Sequence, residues 1–179
     1  MNEIILQTPR LILRPFRAED ADDVQAYAGD IEVNRYLLWG PNDDETTRWF
    51  LTDTMEKNSH EPRTQYDFAV CLAETGELIG GCGIYPGDEK AHLGWVLNKR
   101  FWKRGYGTEL AAELIRFGFE DLRLDNITST CDAENYGSYR VMERNGMKQI
   151  KRVEKCRDTR DGWRDELHYA ITREEWEGM

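Results

Sequence analysis

Apolar residues along the chain recur in two periods, and the switch between them divides it into elements. Arg10-Leu11-Ile12-Leu13-Arg14-Pro15-Phe16 is a short leucine-rich run closed by Pro15, which predicts a strand. Asp20 to Ala28 predicts a helix, with acids at the end where a helix dipole favours them and Gly29 as its stop. After the loop Trp39-Gly40-Pro41-Asn42, the spacing predicts a second helix from Asp44 to Lys57, with Trp49, Phe50 and Met55 on its apolar face. Ser59 to Gln65 is polar, contains Pro62 and reads as a loop. Three strands follow at hairpin spacing, Asp67 to Ala73, Leu78 to Tyr85 and Ala91 to Leu97, joined by turns at Glu74-Thr75-Gly76-Glu77 and Pro86-Gly87-Asp88. They form an antiparallel meander. Gly94 interrupts the last of them, which predicts a bulge or a close backbone approach.

The period then becomes helical. Leu110, Ala111, Leu114, Ile115, Gly118 and Leu122 are spaced for one face of a helix over Thr108 to Leu122. The strand predicted at Ile127 to Cys131 should lie parallel to Ala91–Leu97, because strand, helix, strand is the right-handed crossover unit. Asn135 to Asn145 predicts a further helix stopped by Gly146. Lys148 to Arg157 and Trp163 to Ile171 form a hairpin about Asp161-Gly162, and Thr172-x-x-Glu175 is a capping box.

A chain of 179 residues, 40% hydrophobic and 32% charged, suits one core, and a single domain over residues 1–179 is expected. Net charge is −10, which argues against a nucleic-acid partner. The charge is uneven. Arg17 to Glu61 holds twelve acids against four bases, whereas Lys99 to Arg104 holds four bases and no acid, so one surface should attract cations and another an anion. No basic segment followed by an apolar run opens the chain, and its charge-free stretches are too short to span a bilayer, so a soluble, cytoplasmic protein without a membrane partner is expected. Cys71, Cys82, Cys131 and Cys156 lie far apart with no C-x-x-C pair and read as buried free thiols, with no metal site.

Lys103-Arg104-Gly105-Tyr106-Gly107-Thr108-Glu109 carries candidate chemistry. A basic, glycine-punctuated turn between a strand and a helix points backbone N–H groups at an anion and lets a phosphate approach without meeting a Cβ. The P-loop pattern fails for want of Gly-Lys followed by Ser or Thr. The dinucleotide fingerprint fails at Leu110, where a small residue is needed. A glycine turn that merely starts a helix would leave the upstream bases without a task.

Together, Thr8-Pro9-Arg10-Leu11-Ile12-Leu13-Arg14, Leu93-Gly94-Trp95-Val96-Leu97, Arg104-Gly105-Tyr106-Gly107-Thr108-Glu109 and Asn135-x-x-Ser138 ending at Gly146 resemble the GNAT acetyltransferases. Among them the chain is most similar to the branch that acetylates N-terminal amines of ribosomal proteins. The resemblance runs through Trp176 and implies an α/β (mixed α+β) fold. Its central sheet would be mostly antiparallel, flanked by helices and splayed between its fourth and fifth strands. It implies acetyl-CoA as cosubstrate, the pyrophosphate held by Lys103, Arg104, Gly105, Tyr106, Gly107 and Thr108. Trp102 stands at the first position of the family's Gln/Arg-x-x-Gly-x-Gly/Ala loop. The pantetheine arm would pair with the backbone near Trp95, Val96 and Leu97, in a gap opened by a bulge at Gly94, and Asn135 would lie beside it.

Acetyl transfer requires a neutral amine, hence a proton acceptor, and is helped by a donor to the departing thiolate. Strand alternation puts His92 on the face opposite Leu93 and Trp95, where many members carry a glutamate base. His92 is either that base or a histidine with no role. The tyrosine that the wider family uses as acid is replaced by Met142. The ribosomal-protein branch uses instead the serine matching Ser138, which is otherwise a helix-capping residue, with Tyr136 and Tyr139 as further candidates. Arg157, between Glu154 and Asp158, stands where that branch has a carboxylate base. The resemblance makes the acidic first helices the wall of the acceptor cleft, suiting a protein N-terminus, a polyamine or an aminoglycoside. It also makes a homodimer an expectation and leaves a non-catalytic CoA sensor as the alternative.

Overall fold

The computed structural model describes residues 3–88, 90–159 and 161–179. Its strands are β1 Leu6–Gln7, β2 Leu11–Arg14, β3 Tyr66–Leu72, β4 Leu78–Pro86, β5 Ala91–Leu97, β6 Asn126–Asp132, β7 Lys148–Thr159 and β8 Gly162–Thr172. Its helices are α1 Ala21–Ala28, α2 Asp44–Ser59, α3 Tyr106–Glu120, α4 Tyr136–Arg144 and α5 Arg173–Glu177. Eight strands form one sheet in the order β1-β2-β3-β4-β5-β6-β8-β7, and only β5–β6 is parallel.

Most predicted elements stand within two residues of their expected bounds. The unpredicted β1 is two residues long and pairs Leu6 with Leu13 and Gln7 with Ile12. It shifts the strand count by one, so the diverging pair is β5 and β6. α1 begins at Ala21 rather than Asp20, because Ala18–Asp20 winds as a 3-10 turn held by Asp20, whose carboxylate accepts from Arg17 N (2.8 Å) and both Arg14 Nη atoms.

The alternation of β5 divides the core. Leu93 and Trp95 face α3 together with Leu110, Leu114 and Ile115, while Val96 joins Phe16, Val24, Tyr27 and Leu51 under α1 and α2. The sheet therefore carries apolar surface on both faces, and its middle strands read as near-continuous apolar runs. Among the described residues no helix is long and apolar enough to cross a membrane. Cys71, Cys82 and Cys131 are buried as expected, but Cys156 is exposed because β7 is an edge strand with most of its residues in solvent.

Candidate active site

β5 and β6 pair only from Ala91↔Ile127 to Leu93↔Ser129. Thr128 Oγ1 donates to Ala91 O (2.9 Å) and Ser129 Oγ to Leu93 O (3.0 Å), so side chains close the ladder where the strands part. The pairing of β5 with β4 runs unshifted through Gly83↔Gly94, so the gap opens without the expected bulge against β4. Ala91 and Leu93 turn their carbonyls toward β6, and by alternation Trp95 turns its N–H and C=O into the gap. Val96 turns its carbonyl toward Gly80 of β4 instead, and Leu97 O accepts from Trp102 Nε1 (2.8 Å). Of the three expected pantetheine contacts, Trp95 thus turns both backbone groups to the gap, whereas the carbonyls of Val96 and Leu97 are turned elsewhere.

The glycine loop lies just beyond. Lys103 (φ 59°) and Gly105 (φ 84°) are left-handed, and Gly105 caps α3. Glu109 N is the first to reach a helical carbonyl, Gly105 O at 3.1 Å, so the N–H groups of Tyr106, Gly107 and Thr108 point out of the helix end. The loop is braced from β2's leading turn. Glu109 accepts from Thr8 Oγ1 (2.6 Å), Arg10 N (2.9 Å) and Arg10 Nε (2.6 Å), while Arg10 donates to Arg104 O (3.0 Å) and lies over the Tyr106 ring. Two expectations change. Gly107 makes room for α4, since a Cβ there would stand 3.1 Å from Val141. Of the four bases, Lys99 pairs with Asp30 and Glu32, and Arg100 lies 3.8 Å from Glu77, so half of the cluster ties down neighbouring elements.

A cavity of about 410 Å³ runs from the β5–β6 gap to the underside of α1 and α2, lined by Trp95, Ser129 and Ser138 at one end and Phe16, Tyr27 and Phe50 at the other. Burial pushes His92, which lines it, below the ordinary histidine range; nearby Glu166 opposes that effect, and His168 and Lys90 add to it. Ser138 is relieved of capping, because Asn135 Oδ1 accepts from Ser138 N (3.1 Å), and its hydroxyl instead meets the Cys131 thiol. Tyr136 and Tyr139 are absent from the lining. Tyr136 is exposed and Met142, in the tyrosine's place, is fully buried. Cys131 is pushed up to about 12 and Cys82 well above its ordinary value, both by burial, so each stays a protonated thiol. Arg157 also lines the cavity. It pairs with Glu166, donates to Tyr36 O (3.2 Å) and so pins the loop that roofs the site.

The acidic helices do not supply a charged lining. Asp22, Asp23, Asp44 and Glu45 are exposed on the outer faces of α1 and α2, which show the cavity Val24, Tyr27, Thr46, Trp49 and Phe50. The carboxylates that line it are Asp67 of β3 and Asp132 of β6. Asp67 was overlooked in the sequence, although an aspartate between Tyr66 and Phe68 in an apolar strand is itself a signal.

The splayed parallel pair, the open helix end beside it and the cavity across both are the arrangement that the sequence resemblance implied. The acetyltransferase (GNAT) domain family matches residues 10–148. The chain belongs to the GNAT acetyltransferases. Among GNAT relatives it is 33% identical over 173 residues to the uncharacterized N-acetyltransferase YnaD of Bacillus subtilis, covering 96% of this chain and 98% of that one. A GNAT-family acetyltransferase structure from Bacillus anthracis superposes with a TM-score of 0.86 at 33% identity, covering 96% and 99% of the two chains. Mycobacterium smegmatis RimJ in complex with CoA-disulfide shares the fold, with a TM-score of 0.81 at 22% identity over 97% and 88%.

Proposed function

We propose that this GNAT enzyme uses acetyl-CoA to acetylate a primary amine by direct attack, within one ternary complex. The observation that carries this is the parting of β5 from β6 after Leu93, which exposes the Trp95 backbone beside a cavity holding His92 and Ser138. When bound, acetyl-CoA supplies an acyl group activated as a thioester. The α3 end and Lys103, Arg104 and Gly105 hold its pyrophosphate, and the CoA-disulfide bound to RimJ on the same fold supports this. The backbone of Trp95, flanked by Val96 and Leu97, orients the pantetheine arm, and the Trp95 N–H donates to charge developing on the acyl oxygen. Asn135 fixes the start of α4, so the Ser138 hydroxyl, set beside the Cys131 thiol rather than on the helix end, can turn to donate a proton to the departing sulfur. His92, neutral at pH 7 because of its burial, accepts the amine's proton at its imidazole. The protonated Cys82 and Cys131 thiols are unsuited to forming an acyl-enzyme.

For the acceptor, a protein N-terminus follows from the resemblance, and the ribosomal-protein-S5-alanine acetyltransferase of Vibrio fischeri shares the fold at 18% identity. A small amine is the second reading, favoured by the apolar lining. Thiol release from acetyl-CoA, measured over N-terminal peptides, polyamines, aminoglycosides and apolar monoamines, tests the proposal. Amine-dependent release with an N-acetylated product is expected. Tight CoA binding with no turnover above hydrolysis would make the protein a CoA sensor.

A further inference from the structure

Asp67, Gly83 and Gly94 form one row across β3, β4 and β5, and the two glycines leave that row bare beside the carboxylate. The Tyr85 side chain, whose Cα pairs with His92, leans back over the bare stretch and donates from Oη to Asp67 Oδ1 at 2.6 Å. A Cβ at Gly83 would stand 2.6 Å from Tyr85 Oη and 2.9 Å from Asp67 Oδ1, and one at Gly94 would stand 3.8 Å from the Tyr85 ring. Gly83 is thus what lets tyrosine and aspartate meet, while a side chain at Gly94 would only touch the tyrosine ring. Gln65 Nε2 holds the other carboxylate oxygen at 2.8 Å. Each oxygen keeps a lone pair beyond the one already used.

The charges of the cavity single Asp67 out. Arg157 is neutralised by Glu166, and Asp132 lies 3.6 Å from Arg164. Among the described residues, Asp67 is the one lining carboxylate with no cation within ion-pair distance, and it is 7% exposed. Burial pushes the Asp67 carboxyl up, with Tyr85, Gln65 and nearby Lys57 opposing that and Asp53 adding to it, so a cation placed against its free lone pairs would favour the ionised form. The same cavity is lined by Phe16, Tyr27, Tyr36, Trp39, Trp49 and Phe50. Trp39 and Trp49 remain 45% and 65% exposed where they border the cavity, so aromatic surface extends from its interior to solvent.

We infer that Asp67, positioned by Tyr85, receives the ammonium group of the acceptor, and that the acceptor is a monoamine on an apolar, flat body rather than a polycation. One carboxylate within aromatic walls pairs a single charge and leaves the further charges of a polyamine or aminoglycoside unmatched. This rests on the acetyl-transfer reading for its purpose, but its binding test does not need turnover.

Calorimetry on the full chain with CoA present compares 2-phenylethylamine with its uncharged isostere 2-phenylethanol, alongside spermidine and a short peptide with N-terminal phenylalanine. The wild type is expected to bind the amine at least about tenfold more tightly than the alcohol. Asp67→Asn should bring that ratio to about one with CoA affinity unchanged, and Tyr85→Phe should reduce it. Gln65 can turn its amide to suit the asparagine, and CoA binding reports that the variant is folded. If it does not fold, the wild-type ratio decides alone. Equal affinities in the wild type, or a ratio that survives Asp67→Asn, overturn the assignment. Tighter binding of spermidine or the peptide overturns the monoamine class. Asp67-dependent binding without acetyl transfer would remove the catalytic reading and leave this site standing.

Discussion

Asn135 takes the capping task that a serine at this helix start could have been given, which leaves Ser138 for its proposed role as acid. Asn135 caps α4, so Asn135→Ala should cost about 1 kcal/mol of stability, read from a denaturant midpoint. Ser138→Ala should leave that midpoint in place and lower kcat by about 100-fold, with the KM for acetyl-CoA retained. If Ser138→Ala lost stability instead, the hydroxyl would be structural. For His92, burial depresses the pKa, so the imidazole stays neutral and able to take a proton at pH values where an exposed histidine is already charged. The acid limb of kcat/KM should therefore fall below about 6.5. The same shift makes the histidine's stability contribution full above about 6.5 and lost as pH falls toward the folded value, because the unfolded chain takes up the proton first. His92→Ala should slow the reaction and abolish that limb, and a pH profile left as it was would return His92 to a residue without a role. Both residues were legible in the sequence as candidates. What shows Asn135 to be the cap is which oxygen meets the Ser138 N–H, and no spacing reveals that.

At the scale of elements, α3 and the turn before it form the most strongly determined part of the site. Gly105 is left-handed at φ 84°, a Cβ there would also stand 3.2 Å from Arg10 Nη2, and the loop is fastened through Arg10 and Glu109. A left-handed L residue costs about 1–2 kcal/mol and a β-branched one more, so Gly105→Val should weaken acetyl-CoA binding by at least about tenfold. An unchanged Kd in a direct binding titration would remove the loop from the cofactor site. The glycine run, the α3 periodicity and the meander were all readable because each is a local signal. The brace was not, since Thr8 and Arg10 reach Glu109 across about a hundred residues of chain. The charge pattern misled for the same reason. Lys99 and the acids Asp30 and Glu32 looked like separate fields of opposite sign and are in fact partners.

At the scale of the whole molecule, one sheet sorts the reaction's two halves. β5 turns Trp95 toward α3 and His92 toward the cavity under α1 and α2, so the donor's strand also carries the proposed base. The parallel pairing of β5 with β6 followed from element order, and its divergence from the family resemblance. The acceptor side did not, because the exposed acids of α1 and α2 dominate the sequence while the cavity is set by what those helices hide. Asp67 stands out in the sequence as an acid in an apolar strand, but its partner Tyr85, brought across bare Gly83, is visible only in the fold. Direct transfer from acetyl-CoA to an amine is decided by rapid-mixing measurement of thiol release, with and without an acceptor amine found in the panel. Release should wait for the amine, match the N-acetylated product mole for mole, and show no burst in its absence. A burst of one thiol per enzyme before any amine is added, with the acetyl group then found on a cysteine, would contradict it.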